Sequence, residues 1–266
     1  MHEHMTVHVF ASGSGGNCLL LTCAGTRILI DAGISMRRVL NALAELDLNA
    51  EDIGGVLITH EHSDHVSGLK MLCKHHNVPI YAPHTVANRL MGKIPETENC
   101  MHIIPVEQDF YIGNLKIRPF HTPHDTDESV GYRVEGSGVF AISTDMGMVT
   151  DEIMDGLLGA ETVLIEANHD EKMLMDGPYP AALKRRILSD HGHLSNESCG
   201  RLAKFLAENG TKNIILGHLS KENNNPELAE ATVMSYLKGA AQLYMAPVLG
   251  DLRIEISENS KMSRAI

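Results

Sequence analysis

The chain has 266 residues, 43% of them hydrophobic, enough to bury the core of one large layered domain. No apolar run reaches the ~18 residues of a membrane helix, and the start, Met1-His2-Glu3-His4, lacks the basic and apolar regions of a signal peptide. The net charge of -12 argues against a polyanionic partner. Cys18, Cys23, Cys73, Cys100 and Cys199 form no Cys-x-x-Cys pair, which argues against a zinc ribbon or disulfide framework and for a reducing cytosol.

In chain order, short apolar runs read as strands over residues 7–10, 18–23, 27–31, 56–60 and 78–82. Others follow over 110–120, 130–134, 139–143, 162–167, 213–218 and 252–256. Gly113-Asn114 splits the 110–120 run as a hairpin turn. Between these runs, Met36, Val39, Leu40, Leu43 and Leu46 keep helical spacing behind Ser35, a good N-cap. Residues 66–75 and 151–158 read as shorter helices. Ser195 caps a helix reaching Leu206 with Leu202, Phe205 and Leu206 as its apolar stripe, and Pro226 opens one reaching Leu237. This alternation predicts an α/β layered fold. With no repeat or linker, one domain covers 1–266, of which 1–5 are expected to be disordered. Asp31, His60, Asp145, Glu166 and His218 each fall at or just past the C-terminal end of an apolar run, the edge where layered α/β folds assemble their sites.

Thr59-His60-Glu61-His62-Ser63-Asp64-His65 gathers three imidazoles and a carboxylate behind an apolar strand. His60 and His62, two apart at a strand end, can project to the same side, and the loop can fold Asp64 and His65 back to a second position. Such donors suit Zn²⁺, Mn²⁺ or Fe²⁺; the bland alternative is a solvated, histidine-rich turn. The glycine-rich loop of residues 12–17 can offer backbone N–H groups to phosphate, with Ser12, Ser14 and Asn17 as added donors. It lacks a Gly-Lys-Ser/Thr ending, and an ordinary hairpin loop is the competing reading.

The His-x-His-x-Asp-His pattern resembles the main motif of the metallo-β-lactamase-fold superfamily, and that superfamily's later motifs follow in order over nearly the whole chain. His124 in Thr122-Pro123-His124-Asp125 looks like the third-motif histidine, in competition with His121. Asp145 in Ser143-Thr144-Asp145-Met146-Gly147 looks like the bridging aspartate, and His218 in Leu216-Gly217-His218-Leu219-Ser220 like the last ligand. The resemblance implies a four-layer αββα sandwich with two divalent ions, zinc or manganese, with iron a further option. His60, His62 and His124 would hold one ion and Asp64, His65 and His218 the other, with Asp145 between them. Asp31 would orient a ligand by hydrogen bonding. His2, His4, His75, His76, His84 and His102 are expected at the surface.

Leu164-Ile165-Glu166-Ala167-Asn168-His169-Asp170 and Gly192-His193-Leu194-Ser195 resemble segments of the ribonuclease Z branch whose glutamate and histidine form a dyad that helps protonate the leaving oxygen. Glu166 and His193 would take those roles, with Asp64 as a further catalytic residue. The glycine-rich opening from Phe10 to Cys18, the stretch from Tyr179-Pro180 to Arg186-Ile187, and His218-Leu219-Ser220 followed by Asn223-Asn224-Asn225 resemble the YycJ/WalJ-type bacterial nucleases. That likeness implies a cytoplasmic 5′-to-3′ DNA exonuclease using a metal-activated hydroxide, with Ser12, Ser14, Asn17 and His169 as substrate contacts. The alternatives are a small-molecule hydrolase of the same fold, acting on cyclic phosphodiesters or thioesters, and a non-catalytic metal-binding regulator. The acidic charge conflicts with DNA. Lys184-Arg185-Arg186 with Arg201 and Lys204, and Arg37-Arg38, lead to the expectation of a basic strip running to the site.

Overall fold

Successive strand side chains point to opposite faces of a sheet, and here both faces are apolar. In the computed structural model, which describes residues 4–256, Leu19 and Leu21 join one buried cluster while Leu20 between them joins another. The strands are β1 (Met5–Ala11), β2 (Cys18–Cys23), β3 (Thr26–Ile30), β4 (Gly55–Leu57), β5 (Ile80–Pro83), β6 (Met101–Ile104) and β7 (Phe110–Ile112). They continue with β8 (Leu115–His121), β9 (Val130–Glu135), β10 (Val139–Ser143), β11 (Thr162–Glu166), β12 (Asn213–Gly217), β13 (Gln242–Met245) and β14 (Leu252–Ile256). The helices are α1 (Met36–Ala44), α2 (Ser63–Val66), α3 (Leu69–His76), α4 (His84–Lys93), α5 (Asp151–Leu157), α6 (Glu171–Asp176), α7 (Ala181–Ile187), α8 (Asn196–Glu208) and α9 (Pro226–Leu237).

One sheet runs β14-β1-β2-β3-β4-β5-β6 and the other β13-β12-β11-β10-β9-β8-β7. Each is antiparallel in one half and parallel in the other. β3 to β6 run parallel, as do β10 to β13. Parallel neighbours need crossovers, and helices supply them, so one face of each sheet is covered by helices. Facing sheets bury Val7, Leu21 and Ile28 with Tyr132, Val134 and Phe140. α1, α3 and α4 bury Leu43, Leu72 and Leu90 on the first sheet; α5, α8 and α9 bury Leu157, Leu206 and Val233 on the second. Each such side chain contributes about 1.5–3 kcal/mol by leaving water. These are the four αββα layers that the motifs imply. The Tyr132 hydroxyl donates to the Ile58 carbonyl at 2.6 Å, tying the second sheet to the first just before His60. No helix among the described residues is long and apolar enough to cross a membrane.

Several expected elements change. The 56–60 run ends as a strand at Leu57; Ile58 still donates its N–H to the Tyr81 carbonyl, and Thr59 and His60 leave that ladder. The expected 66–75 helix is two helices, because Gly68 approaches so closely that its N–H donates to the Ala32 carbonyl. Edge strands β6 and β13 carry exposed or half-exposed residues without clean alternation and left no signal. α4, α6 and α7 were also unforeseen as helices; α7 has no buried residue to give it a stripe. Ser35 stands at the N-cap of α1 without a side-chain bond, whereas Ser195 accepts from the Ser198 N–H as expected. Phe205 is 40% exposed and lies outside the stripe of α8. Residues 1–3, His2 among them, lie outside the described residues; Met5, expected to be disordered, opens β1 and is fully buried.

Candidate metal centre

The C-terminal ends of β3, β4, β10, β11 and β12 meet at one place. There they deliver Asp31, His60, Asp145, Glu166 and His218. Asp31, Asp145 and His218 have φ of 58°, 55° and 54°, left-handed values that cost non-glycine residues on the order of 1–3 kcal/mol each. The chain turns sharply at each to aim a side chain across the strand ends. The connecting loops are seated on one another. Asn17 N–H donates to the Asp64 carbonyl at 2.8 Å, and a Cβ on Gly33 would lie 1.6 Å from that same oxygen, so only glycine fits there.

Among the described residues, five groups of donor atoms lie within 4.8 Å of one another: His60, His62 and His124; Asp64, His65 and His218; His60, His65 and Asp145; Asp145, Glu166, His193 and His218; and, away from this centre, Glu107, His121 and Glu152. Asp145 is the link. Its Oδ2 is 3.3 Å from His65 Nε2, and its Oδ1 is 3.5 Å from His218 Nε2 and 3.7 Å from His124 Nε2. Asp64 Oδ2 is 3.5 Å from both His65 Nε2 and His218 Nε2. Two donors bound tetrahedrally at ordinary zinc–nitrogen or zinc–oxygen lengths sit roughly 3.4 Å apart, so these separations fit a shared cation. His60 Nε2 and Asp145 Oδ2 are buried without a hydrogen-bond partner among the described residues, a costly arrangement that a metal ion would relieve.

Four of the five imidazoles have Nδ1 engaged, which leaves Nε2 as the atom that could ligate a metal. His65 Nδ1 bonds Asp31 Oδ2 at 2.8 Å, His218 Nδ1 bonds Glu166 Oε1 at 2.8 Å, His124 Nδ1 donates to the Gly192 carbonyl at 3.3 Å, and His60 Nδ1 is 3.1 Å from Thr59 Oγ1. Such outer bonds fix ring orientation and raise ligand basicity. Asp31 also accepts from Thr59 N–H at 2.9 Å, so it holds both a ligand and the strand end before His60. An Asp31→Ala variant is therefore expected to bind metal about 10–100-fold more weakly. Competition with a chelating dye checks this, and unchanged affinity would show that His65 needs no such support.

The electrostatics run against burial. Burial pushes the Asp145 carboxyl up, but His218 and His65 hold it well below the usual range. Burial pulls His65 and His218 down, yet Asp31 and Asp145 raise His65 well above its ordinary value, and Asp145, Asp64 and Glu166 lift His218 to about 10. Asp64 is lowered, against its burial, by bonds from His218 and His65. His60 and His124 go the other way, lowered chiefly by burial, and so present neutral rings suited to ligation.

Glu166 is fully buried and fully used. Oε1 bonds His193 Nδ1 at 2.7 Å as well as His218, and Oε2 accepts the N–H groups of Met146 and Leu194 at 3.1 and 3.2 Å. Burial pushes this carboxyl up, but His193 and His218 bring it to about 2. Burial lowers His193, but Glu166 and Asp145 outweigh it and raise the imidazole. His193 lines a cavity of about 250 Å³ that several candidate ligands also line, with Ser14, Tyr179, Arg186 and Ser220 on its walls. The link from Glu166 to His218 has no counterpart in the dyad that the sequence suggests.

Among the expected substrate contacts, only Ser14 lines this cavity. Ser12 and Asn17 are buried framework: Ser12 Oγ accepts the His218 N–H at 2.9 Å, and Asn17 Nδ2 is 3.1 Å from His65 Nε2. His169 is 1% exposed, and its backbone carbonyl accepts from the Asn196 N–H. His121 faces outward on β8 and pairs with Glu152 at 3.1 Å, leaving His124 at the centre. His4, His75, His84 and His102 are exposed and His76 is half-buried. The expected basic strip is interrupted. Arg186 reaches the cavity and bonds Asp125, but Lys184 donates to the Met175 and Gly177 carbonyls, Lys204 pairs with Glu208, Arg201 bonds Ser198, and Arg37 and Arg38 stand on α1. Sequence reading missed Asp125, which stands 3.3 Å from His124 Nε2, and Asn168, whose Nδ2 donates to the His218 carbonyl at 3.0 Å.

Residues 26–219 match the beta-lactamase superfamily domain. Exodeoxyribonuclease WalJ of Streptococcus pneumoniae is 38% identical over 238 residues, which cover 87% of this chain and 88% of that protein. Exodeoxyribonuclease YycJ of Bacillus anthracis is 36% identical over 234 residues, covering 86% and 88%. Among solved structures, the metallo-beta-lactamase fold protein YhfI of Bacillus subtilis superposes with a TM-score of 0.74 at 18% identity, over 95% of this chain and 100% of that one. The short form of human tRNase Z does so with a TM-score of 0.65 at 20% identity, over 96% and 100%. These two show the fold.

Proposed function

The chain belongs to the beta-lactamase superfamily, in the group of the WalJ and YycJ exodeoxyribonucleases, and from that premise we propose that it is a metal-dependent DNA exonuclease working in the 5′-to-3′ direction. The observation that carries the reading is the pairing of a histidine and aspartate cluster with a second, hydrogen-bonded imidazole, His193, on the wall of the same cavity. His60, His62 and His124 would hold one divalent ion and Asp64, His65 and His218 a second, with Asp145 shared. Mixed imidazole and carboxylate donors suit zinc or manganese, with iron a further option. When bound, the ions supply Lewis acidity towards the phosphate oxygens and acidify the attacking water.

The chain's own residues supply the rest. His193, held by Glu166 through Nδ1, presents Nε2 to protonate the departing oxygen, and Glu166 and Asp145 favour its protonated form. Glu166 is a positioning residue: it touches the imidazoles of His193 and His218 and fixes both. Asp64 completes the second ligand group from the start of α2. The proposal includes a reducing cytosolic setting, in keeping with five free, buried cysteines.

The direct test offers the manganese-loaded protein DNA, RNA, a cyclic nucleotide and a thioester side by side. Cleavage of DNA, lost on chelation, is expected. Turnover of only the cyclic nucleotide or the thioester would replace the nuclease reading with that of a small-molecule hydrolase.

A further inference from the structure

The glycine-rich loop divides into a used part and an unused part. Ser12 Oγ accepts from His218 N–H, Asn17 Oδ1 accepts from Gly13 N–H, and Gly16 N–H donates to the Gly13 carbonyl. Ser14 and Gly15, at the apex, are exposed, and among the described residues neither their amides nor the Ser14 hydroxyl has a protein partner. Ser14 lines the cavity over the ligand cluster.

Lys221 lies over this apex. A Cβ on Gly15 would stand 2.9 Å from Lys221 Nζ, so the ammonium occupies space that a side chain at position 15 would take. Lys221 makes no ion pair or hydrogen bond among the described residues. Beside it, Ser220 Oγ accepts the Asn223 N–H at 3.2 Å, which leaves the hydroxyl hydrogen free to be donated, and Ser220 lines the same cavity. Donors without acceptors thus converge at one edge: two amides, two hydroxyls and an ammonium. The rest of the cavity is acidic, with Asp64, Asp125 and Asp145 on its walls, and Arg186 is already bonded to Asp125.

We infer that Ser14, Gly15, Ser220 and Lys221 form a second anion subsite, which holds the phosphate next along the strand from the one being cleaved. The inference rests on the reading of the centre as a nuclease. Exposed backbone amides in a turn cradle phosphate oxygens, and a lysine adds a point charge without demanding a fixed geometry. The subsite also answers the conflict between DNA and a net charge of -12, because one unpaired cation stands where the strand's second phosphate needs it.

Calorimetry with the full-length, manganese-loaded protein tests this through ligands that are not turned over. Thymidine 3′,5′-bisphosphate carries two phosphates and thymidine 5′-monophosphate one. The wild type is expected to bind the bisphosphate about tenfold more tightly or better. Lys221→Met is expected to abolish that advantage and Lys221→Arg to retain part of it. Gly15→Ala, which displaces only the tip of a flexible side chain, is expected to shrink it. No advantage in the wild type, an advantage that Lys221→Met keeps, or an equal loss for both ligands would each overturn the subsite. Strands with and without a 5′-phosphate then identify the source. A Lys221→Met defect in kcat/KM confined to the 5′-phosphorylated strand assigns the terminal phosphate, and a defect on both assigns an internal phosphodiester. If the wild type cleaves no DNA at all, the nuclease reading falls, while the bisphosphate comparison still decides the subsite.

Discussion

Asp145→Asn is expected to lower kcat/KM on DNA by at least about a thousandfold and to leave the protein with less bound metal than the wild type. Asp145 is 2% exposed and stands between both donor groups, with Oδ2 3.3 Å from His65 Nε2 and Oδ1 3.7 Å from His124 Nε2. An amide in its place keeps the shape but replaces one oxygen with an NH₂ group that cannot ligate. It also removes the negative charge that would offset bound cations. His65 and His218 would lose the carboxylate that raises them. Metal content by mass spectrometry and kinetics on the same preparation check the result, with the thermal midpoint confirming that the variant folds. Activity within tenfold of the wild type at full metal content would remove Asp145 from the centre.

His193→Ala is expected to act differently. Removing a positioned general acid costs about 10²–10⁴ in kcat, and no ligand is removed with it. Metal content should stay at the wild-type level. The defect should also depend on the leaving group: large on DNA, whose departing alkoxide needs a proton, and small on bis(4-nitrophenyl) phosphate, whose departing phenolate does not. Glu166→Gln serves as the contrast. Glu166 bonds His193 at 2.7 Å and His218 at 2.8 Å, so its loss should lower activity on both substrates and weaken metal binding as well. Equal defects of His193→Ala on the two substrates would rule out the proton-donor role.

How much of this was legible in the sequence depends on the distance over which each feature is built. The His60 to His65 turn is local, and its spacing behind a strand announces a ligand cluster without help. His124, Asp145 and His218 are far apart along the chain and were legible only through resemblance; strand ends converging in space bring them together. The hydrogen bond between Glu166 and His193 was anticipated, whereas the bond from the same carboxylate to His218 was not, because no spacing encodes a shared acceptor. The glycine-rich loop misled most. Its polar side chains read as equivalent donors, yet Ser12 and Asn17 are spent on His218 and on the His65 turn, and only the apex stays open. Lys221 lies over that apex from the other end of the chain, and nothing near it in sequence marks it. Strands β6 and β13 escaped for a related reason: at sheet edges neither alternates cleanly between buried and exposed residues, so no period-two signal forms.

Metal-dependent removal of nucleotides from the 5′ end of DNA can be followed in one time course on end-labelled strands. With manganese present, a 5′ label should be released at the earliest times as a short product while a 3′-labelled strand shortens progressively, and a chelator should stop both. Cleavage that begins at the 3′ end, cuts within the strand first, or continues undiminished under chelation would contradict it.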